Sequence, residues 1–346
     1  MNLRSFLFHS AALPILVSLL GGCYYGQAAS GQFEVIRKRE PIARLIDDPD
    51  TPPELVARLE LVNAARDFSI EELGLPDNKS YRGYADLERE YVVWNVFAAP
   101  EFSLEPETWC FPVAGCVAYR GYFKRAAAER QAQKLAGRGL DVHVGGVTAY
   151  STLGKFNDPV LNTMLGWDDV QLASVLFHEL AHQRLYVKGD SAFNESFATA
   201  VEEFAIERFL EQQDRAESMA IYRERKRLRV RLMSLVDAAR HDLEALYASG
   251  ADDMRAAKAA RLVALTEDIR AMYASEGRAV NERWIARPFN NARIASMVLY
   301  DGRLPAFRAM LDSCAGDLEC FYAEAERLAE LPKDERDAAL DALAGA

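Results

Sequence analysis

The chain has no basic surplus. Its 41 Lys+Arg stand against 52 Asp+Glu, a formal charge of −11, which argues against nucleic acid as the main partner because neutralising phosphates needs excess cations. It has no P-loop, no dinucleotide fingerprint and no G-x-S-x-G elbow, so those reaction classes drop out. Internal repeats, low-complexity tracts and a clear interdomain linker are also missing. Histidine and cysteine are both scarce, at 5 each, and no C-x-x-C pair marks a redox site. What remains is 50% hydrophobic and 27% charged, with 20 Gly and 13 Pro. That balance excludes disordered, collagen-like and many-span membrane classes. The 346 residues suit one large domain or two modest ones, with ample core.

The N-terminus is the one long apolar run. Met1–Arg4 carries a positive charge, Ser5–Leu20 is apolar with Pro14 inside it, and Leu20-Gly21-Gly22-Cys23 follows. The run is too short for a comfortable span and has the anatomy of a secretory signal over residues 1–22. Its ending looks like a bacterial lipobox, in which Cys23 is diacylated and becomes the first residue. The competing reading is a plain signal peptide with an ordinary Cys23. Tyr24, not Asp, follows, as in lipoproteins sent to the outer membrane. Two acyl chains anchor stably without a spanning helix, so the expected location is the bacterial envelope, facing the periplasm. The other cysteines, Cys110 with Cys116 and Cys314 with Cys320, form two local pairs. In an oxidising compartment two short-loop disulfides are expected; a four-cysteine metal site competes, but its ligands favour closer spacing.

Along the chain, Gln27–Pro76 reads as helical, and Tyr91–Leu104 turns β-branched and aromatic, a strand signature. Phe123–Ala136 reads as a helix, and Val142–Val144 begins a strand that is expected to continue toward Tyr150. The strongest helix signal runs from Val170 to Tyr186, capped by Asp168 and Asp169 and stopped near Gly189. A second helix begins near Asn194. Glu211–Ser275 reads as a charged helical hairpin turning at Ser249-Gly250, within a helical addition at about 205–280, and the remainder is mostly helical.

His178-Glu179-Leu180-Ala181-His182 is an H-E-x-x-H motif inside the strongest helix. Four-residue spacing puts both imidazoles on one face, able to share a metal ion, and Glu179 beside them can act as general base on a water. The competing reading is two ordinary histidines on a helix. A catalytic zinc also needs a third protein ligand and an open position. Leu185 and Lys188 stand where a metzincin needs Gly and His, so that class is excluded. Asp190 and, more remotely, Glu202 or Glu203 are competing third ligands.

Downstream, Asn194-Glu195-Ser196-Phe197-Ala198 resembles the N-E-x-x-A signature of gluzincins, which makes Glu195 the favoured third ligand. The chain further resembles a bacterial family of predicted aminopeptidases, lipoprotein-like HExxH zinc metallopeptidases of gluzincin type. That resemblance covers nearly the whole mature chain. It rests on Tyr24-Tyr25, Trp94–Val96, Phe111–Val113, Tyr119–Phe123, Gly145–Ser151, the HELAH helix, Asn194–Ala198 and Asn290–Ala292. It implies zinc-dependent removal of N-terminal residues from peptides. It also implies that Gly146, Val147 and Tyr150, on the strand before the zinc helix, pair with substrate backbone; an inner strand of a small sheet is the plainer reading. No residue stands out to bind a substrate amine, Asp158 being one acid within reach. For the oxyanion, Tyr300 is expected, with Tyr150 and His143 as alternatives and half-buried structural roles for each as the competing reading.

The expected architecture is α+β and predominantly helical: a single zincin-like catalytic domain over 23–346, with a small sheet and a long helical hairpin. The expected partners are peptide substrates and the membrane, through the lipid anchor. An endopeptidase of periplasmic proteins, or a zinc-binding envelope scaffold without catalysis, are the alternative functions.

Overall fold

The computed structural model describes residues 24–111 and 115–345, with the backbone alone at 299–301. The expected leader and Cys23 lie outside the described residues. Among these residues no helix is long and apolar enough to cross a membrane.

Residues 24–38 form helix α1, followed by β1 (Arg39–Pro41), α2 (Ile42–Asp47) and α3 (Pro53–Glu71). Pro53 sits in the first turn of α3, where its missing N–H leaves no bond unmade. Then come β2 (Gly83–Ala85), β3 (Val93–Pro100), β4 (Trp109–Phe111), β5 (Gly115–Val117), β6 (Arg120–Tyr122), α4 (Arg125–Ala136) and β7 (Leu140–Val147). After β8 (Val160–Leu161) and α5 (Asn162–Leu165) the chain is helical: α6 (Asp169–Arg184), α7 (Ser191–Gln212), α8 (Ala216–Ser249), α9 (Met254–Ser275), α10 (Glu282–Ile285), α11 (Asn291–Asp301), α12 (Leu304–Ser313), α13 (Leu318–Ala329) and α14 (Lys333–Ala344). The protein is therefore α+β and predominantly helical. The hairpin is α8 and α9, joined where Gly250 takes φ +61°. The strand read from Val142 toward Tyr150 starts two residues earlier and ends at Val147.

Two small sheets flank the helices. In one, β3 lies between β6 and β7, all antiparallel; in the other, β2 pairs antiparallel with β1 and parallel with β8. β7 pairs with β3 from Leu140 to Val147 and has no partner on its other edge among the described residues. β4 and β5 form a hairpin closed by the Cys110–Cys116 disulfide; Cys314–Cys320 is the second. The main core lies between α3, α6, α7 and the C-terminal helices, with Phe177, Phe197, Phe209, Phe307 and Phe321 fully buried.

A second apolar cluster joins the α8–α9 hairpin to α10 and α11. Polar groups fasten it to the sheet. Lys258 on α9 is buried and donates to Asp141 Oδ2 at 2.6 Å and to the Glu101 carbonyl at 2.7 Å. Tyr247 donates to Asn291 Oδ1 at 2.8 Å, and Asn291 Nδ2 donates to the Pro100, Glu101 and Ser103 carbonyls. Asn290 caps α11 and donates to the Val142 carbonyl. The Asn290-Asn291 pair is thus a joint between hairpin and sheet, each amide bonded through both its oxygen and its nitrogen.

Candidate metal centre

The centre is built on the connection between α6 and α7. Asp168 caps α6 by accepting from the Gln171 N–H at 3.0 Å. Gly189, at φ +83°, supplies the left-handed residue that the connection needs. Asp190 caps α7 by accepting from the Phe193 N–H at 3.1 Å. Asn194 then clips the turn: its Oδ1 accepts from Val187 N–H at 2.7 Å, and its Nδ2 donates to the Val187 carbonyl at 2.8 Å. The clip aims the next residue, Glu195, back at α6.

On α6, His178 and His182 stack one turn apart, ring centroids 4.8 Å from each other. One ligand atom from each of His178, His182 and Glu195 lies within 4.8 Å of the others. Glu195 Oε2 stands 3.2 Å from His178 Nε2 and 3.7 Å from His182 Nε2. Two imidazoles and one carboxylate, all poorly exposed, are a donor set that suits zinc. His182 Nδ1 is buried with no hydrogen-bond partner among protein groups, leaving donor capacity unused there.

The competing third ligands are committed elsewhere or placed differently. Asp190 is buried, and Arg336 on α14 donates to its Oδ2 through Nε at 3.0 Å and Nη2 at 2.8 Å. Glu203 takes two bonds from Arg308 and one ion pair from Lys226. Glu202 is not an exposed acid: its Oε2 lies 3.1 Å from His178 Nδ1. A carboxylate on the outward nitrogen fixes the tautomer and aim of a metal-binding imidazole. Its spacing carries the signal, since Glu202 lies seven residues, about two turns, beyond Glu195 on the same face of α7.

Burial opposes the charge on His178, but hydrogen bonds and charges from Glu195 and Glu202 outweigh it and push the imidazole up to about 10. Glu195 also loses hydration, yet His182 and His178 hold it well below the usual carboxylate range. Burial pushes the Glu179 carboxyl up, against the pull of the two histidines. A base next to a metal needs such an upward shift to hold a proton near neutrality.

His178 and Glu179 open onto a cleft of about 560 Å³ that is also lined by Gly146, Val147 and, from α8, Tyr222. The end of β7 with its unpaired edge therefore forms one wall. Gly146 leaves room there for a neighbour: a Cβ would lie 2.5 Å from the Tyr91 ring. Tyr150 is not in the lining; its ring packs edge-on against Phe123, centroids 5.4 Å apart. His143 faces Phe97, and burial, aided by Arg293 and Arg287, lowers it to about 4. Asp158 is buried and accepts from Ser151 Oγ, Thr152 N, Thr152 Oγ1 and Gly154 N, so its oxygens are already used. Tyr300 lies near the end of α11, and its side chain is outside the described residues. Burial pushes the phenols of Tyr81 and Tyr119 up, with the Glu179 charge adding to both and that of Glu195 to Tyr119.

The chain belongs to the family described as "Putative aminopeptidase", whose model matches residues 23–340. No curated protein and no solved structure matches the chain.

Proposed function

We propose that the protein is a zinc-dependent peptide hydrolase of zincin-like, gluzincin type, an aminopeptidase held in the bacterial envelope by acylated Cys23 and facing the periplasm. One observation carries the reading: ligand atoms of His178, His182 and Glu195 converge within 4.8 Å, and His178 opens with Glu179 onto a cleft walled by the free edge of β7. Zinc, held by those three side chains, would supply Lewis acidity toward a scissile carbonyl and toward water.

The chain's own groups do the rest. The unpaired edge of β7 at Gly146 and Val147 accepts a substrate backbone as an added strand. A Glu179 carboxylate oxygen takes the proton of the attacking water and delivers it to the leaving amine nitrogen. Glu202 keeps His178 from rotating. Tyr300, on α11, is assigned to the oxyanion, and Tyr300→Phe tests that assignment by a fall in kcat at constant KM.

The exopeptidase half of the reading rests on the family. A second reading, an endopeptidase, is favoured by the acids of the cleft. Of Glu179, Glu202 and Glu203, the last two are engaged by His178 and by Arg308 with Lys226. No spare carboxylate is left among them for a substrate amine. The test is metal content by mass spectrometry, followed by digestion of free and N-acetylated peptide libraries with and without chelator. About one zinc per chain and chelator-sensitive cleavage of free N-termini alone support the aminopeptidase. Cleavage of both libraries moves the reading to the endopeptidase. Zinc without cleavage leaves a scaffold, and no zinc overturns the proposal.

A further inference from the structure

Helix α1 has two unlike faces. Its inward residues, Tyr24, Gln27, Gly31 and Val35, follow the spacing of one helical face. The Tyr24 ring stacks on Phe111, centroids 5.5 Å apart, and the Arg120 guanidinium lies 4.0 Å from its centroid. Gln27 donates to the Gly121 carbonyl at 3.3 Å and accepts from the Phe123 N–H at 3.1 Å. At Gly31 the Phe123 ring occupies the place a Cβ would take, and Val35 is buried in the main core.

The opposite face carries Tyr25, Ala29, Phe33 and Arg37, all exposed. Phe33 is 66% exposed, the highest value of any large apolar side chain among the described residues, and Tyr25 is 51% exposed. A helix that meets only water puts polar side chains there. No carboxylate stands on this face: the one acid of α1, Glu34, accepts from Arg89 Nη1 at 2.9 Å. In a chain of formal charge −11, the face holds aromatic rings, small residues and a cation. Phe156 extends it. Arg39, the residue after α1, donates through Nη1 to the Phe156 and Asn157 carbonyls at 2.8 Å each, which fixes the loop bearing the exposed Phe156 ring at the end of the helix.

What covers this face follows from where the anchor stands. Cys23, acylated in the function proposed above, is joined to Tyr24 by one peptide unit, about 3.8 Å between Cα atoms. Tyr24 is seated on Phe111 and Arg120, so no tether separates the acyl chains from the body, and the bilayer they enter stands at the start of α1. Aromatic rings beside a cation suit the headgroup region, where apolar chains meet anionic phosphates.

We propose that the outward face of α1, with Phe156 at its end, lies in the headgroup region of the membrane and sets the pose of the domain on it. The acyl chains fix one point, and the helix face fixes the angle. The pose reaches the cleft through Arg89, which also donates to the Tyr91 and Val92 carbonyls at 3.2 and 3.4 Å; the Tyr91 ring stands against Gly146 in the cleft wall. The proposal rests on the acylation of Cys23, which is read out separately below.

The test is the full chain, expressed with its leader in a bacterium and reconstituted in vesicles of phosphatidylethanolamine and phosphatidylglycerol that carry a headgroup-borne diazirine. After illumination, peptide mass mapping is expected to find tags at Phe33 and Phe156 at least about threefold above those at Val263, an exposed residue on α9. Hydroxyl radicals generated in the water of the same vesicles are expected to leave both rings unoxidised. Either ring untagged overturns the proposal: oxidised, it faces water; shielded from the radicals, it is covered by a second copy or another protein. The mass of the N-terminal peptide decides acylation on its own. If Cys23 carries no acyl chains, the anchoring fails, and the tag pattern of the chain mixed with the same vesicles still decides what the α1 face meets.

Discussion

His178 Nδ1 on α6 lies 3.1 Å from Glu202 Oε2, about two turns beyond Glu195 on α7. The contact fixes the imidazole on the side away from Glu195, so both nitrogens of His178 are spoken for. Glu202→Gln keeps a hydrogen-bonding group of the same size but removes the charge. It is expected to weaken zinc affinity by about 10–100-fold, read by competition with a chromophoric chelator. Unchanged affinity would detach Glu202 from the centre.

Glu179→Gln is expected to lower kcat by roughly a thousandfold or more while retaining about one zinc per chain. Turnover within about tenfold of wild type would remove Glu179 from the chemistry.

Glu195→Ala and Asp190→Asn separate ligand from scaffold. The first is expected to lose zinc and keep most of its stability. The second is expected to keep zinc when folded but to lose about 3–5 kcal/mol by urea titration, since it leaves the Arg336 charge buried and unpaired. Zinc retained in Glu195→Ala would move the third ligand.

The H-E-x-x-H helix and the two disulfide pairs were legible because they depend on local spacing. Four residues on a helix define a face, and two cysteines six apart can close a loop. The two sheets were less legible. β1, β2 and β8 are two or three residues each, too short for a period-two pattern. The fates of Asp190 and Asp158 were not legible at all. Each is decided by partners that no local pattern brings together: Arg336 from the C-terminal helix for one, four donors in an irregular loop for the other. Glu202 lay between these cases, its heptad spacing visible and its donor, His178, known only from the fold.

His143 gives the fold a pH dependence of its own. Burial holds its folded pKa at about 4, below the ordinary value near 6.5. The neutral ring is the native form, so its contribution is fully present above about 6.5. It is lost progressively as pH falls toward 4, where the unfolded chain binds the extra proton. The loss is at most about 3 kcal/mol at ~1.4 kcal/mol per unit. Urea midpoints between pH 7 and 4 should fall less steeply in His143→Phe, which keeps a ring against Phe97. Identical slopes would assign the pH dependence elsewhere.

Gly146→Ala places a methyl 2.5 Å from the Tyr91 ring. It is expected to cost about 1–3 kcal/mol and to raise KM more than it lowers kcat, because the displaced edge is the one proposed to receive substrate. An unchanged KM would separate β7 from peptide binding.

The Arg336–Asp190 pair also ties the end of the chain to the candidate centre. Arg336 on the last helix, α14, holds the carboxylate that caps α7 five residues before Glu195. A chain cut short before α14 would leave that buried acid without its counter-charge and loosen the turn that presents Glu195, so damage at the far C-terminus reaches the candidate centre.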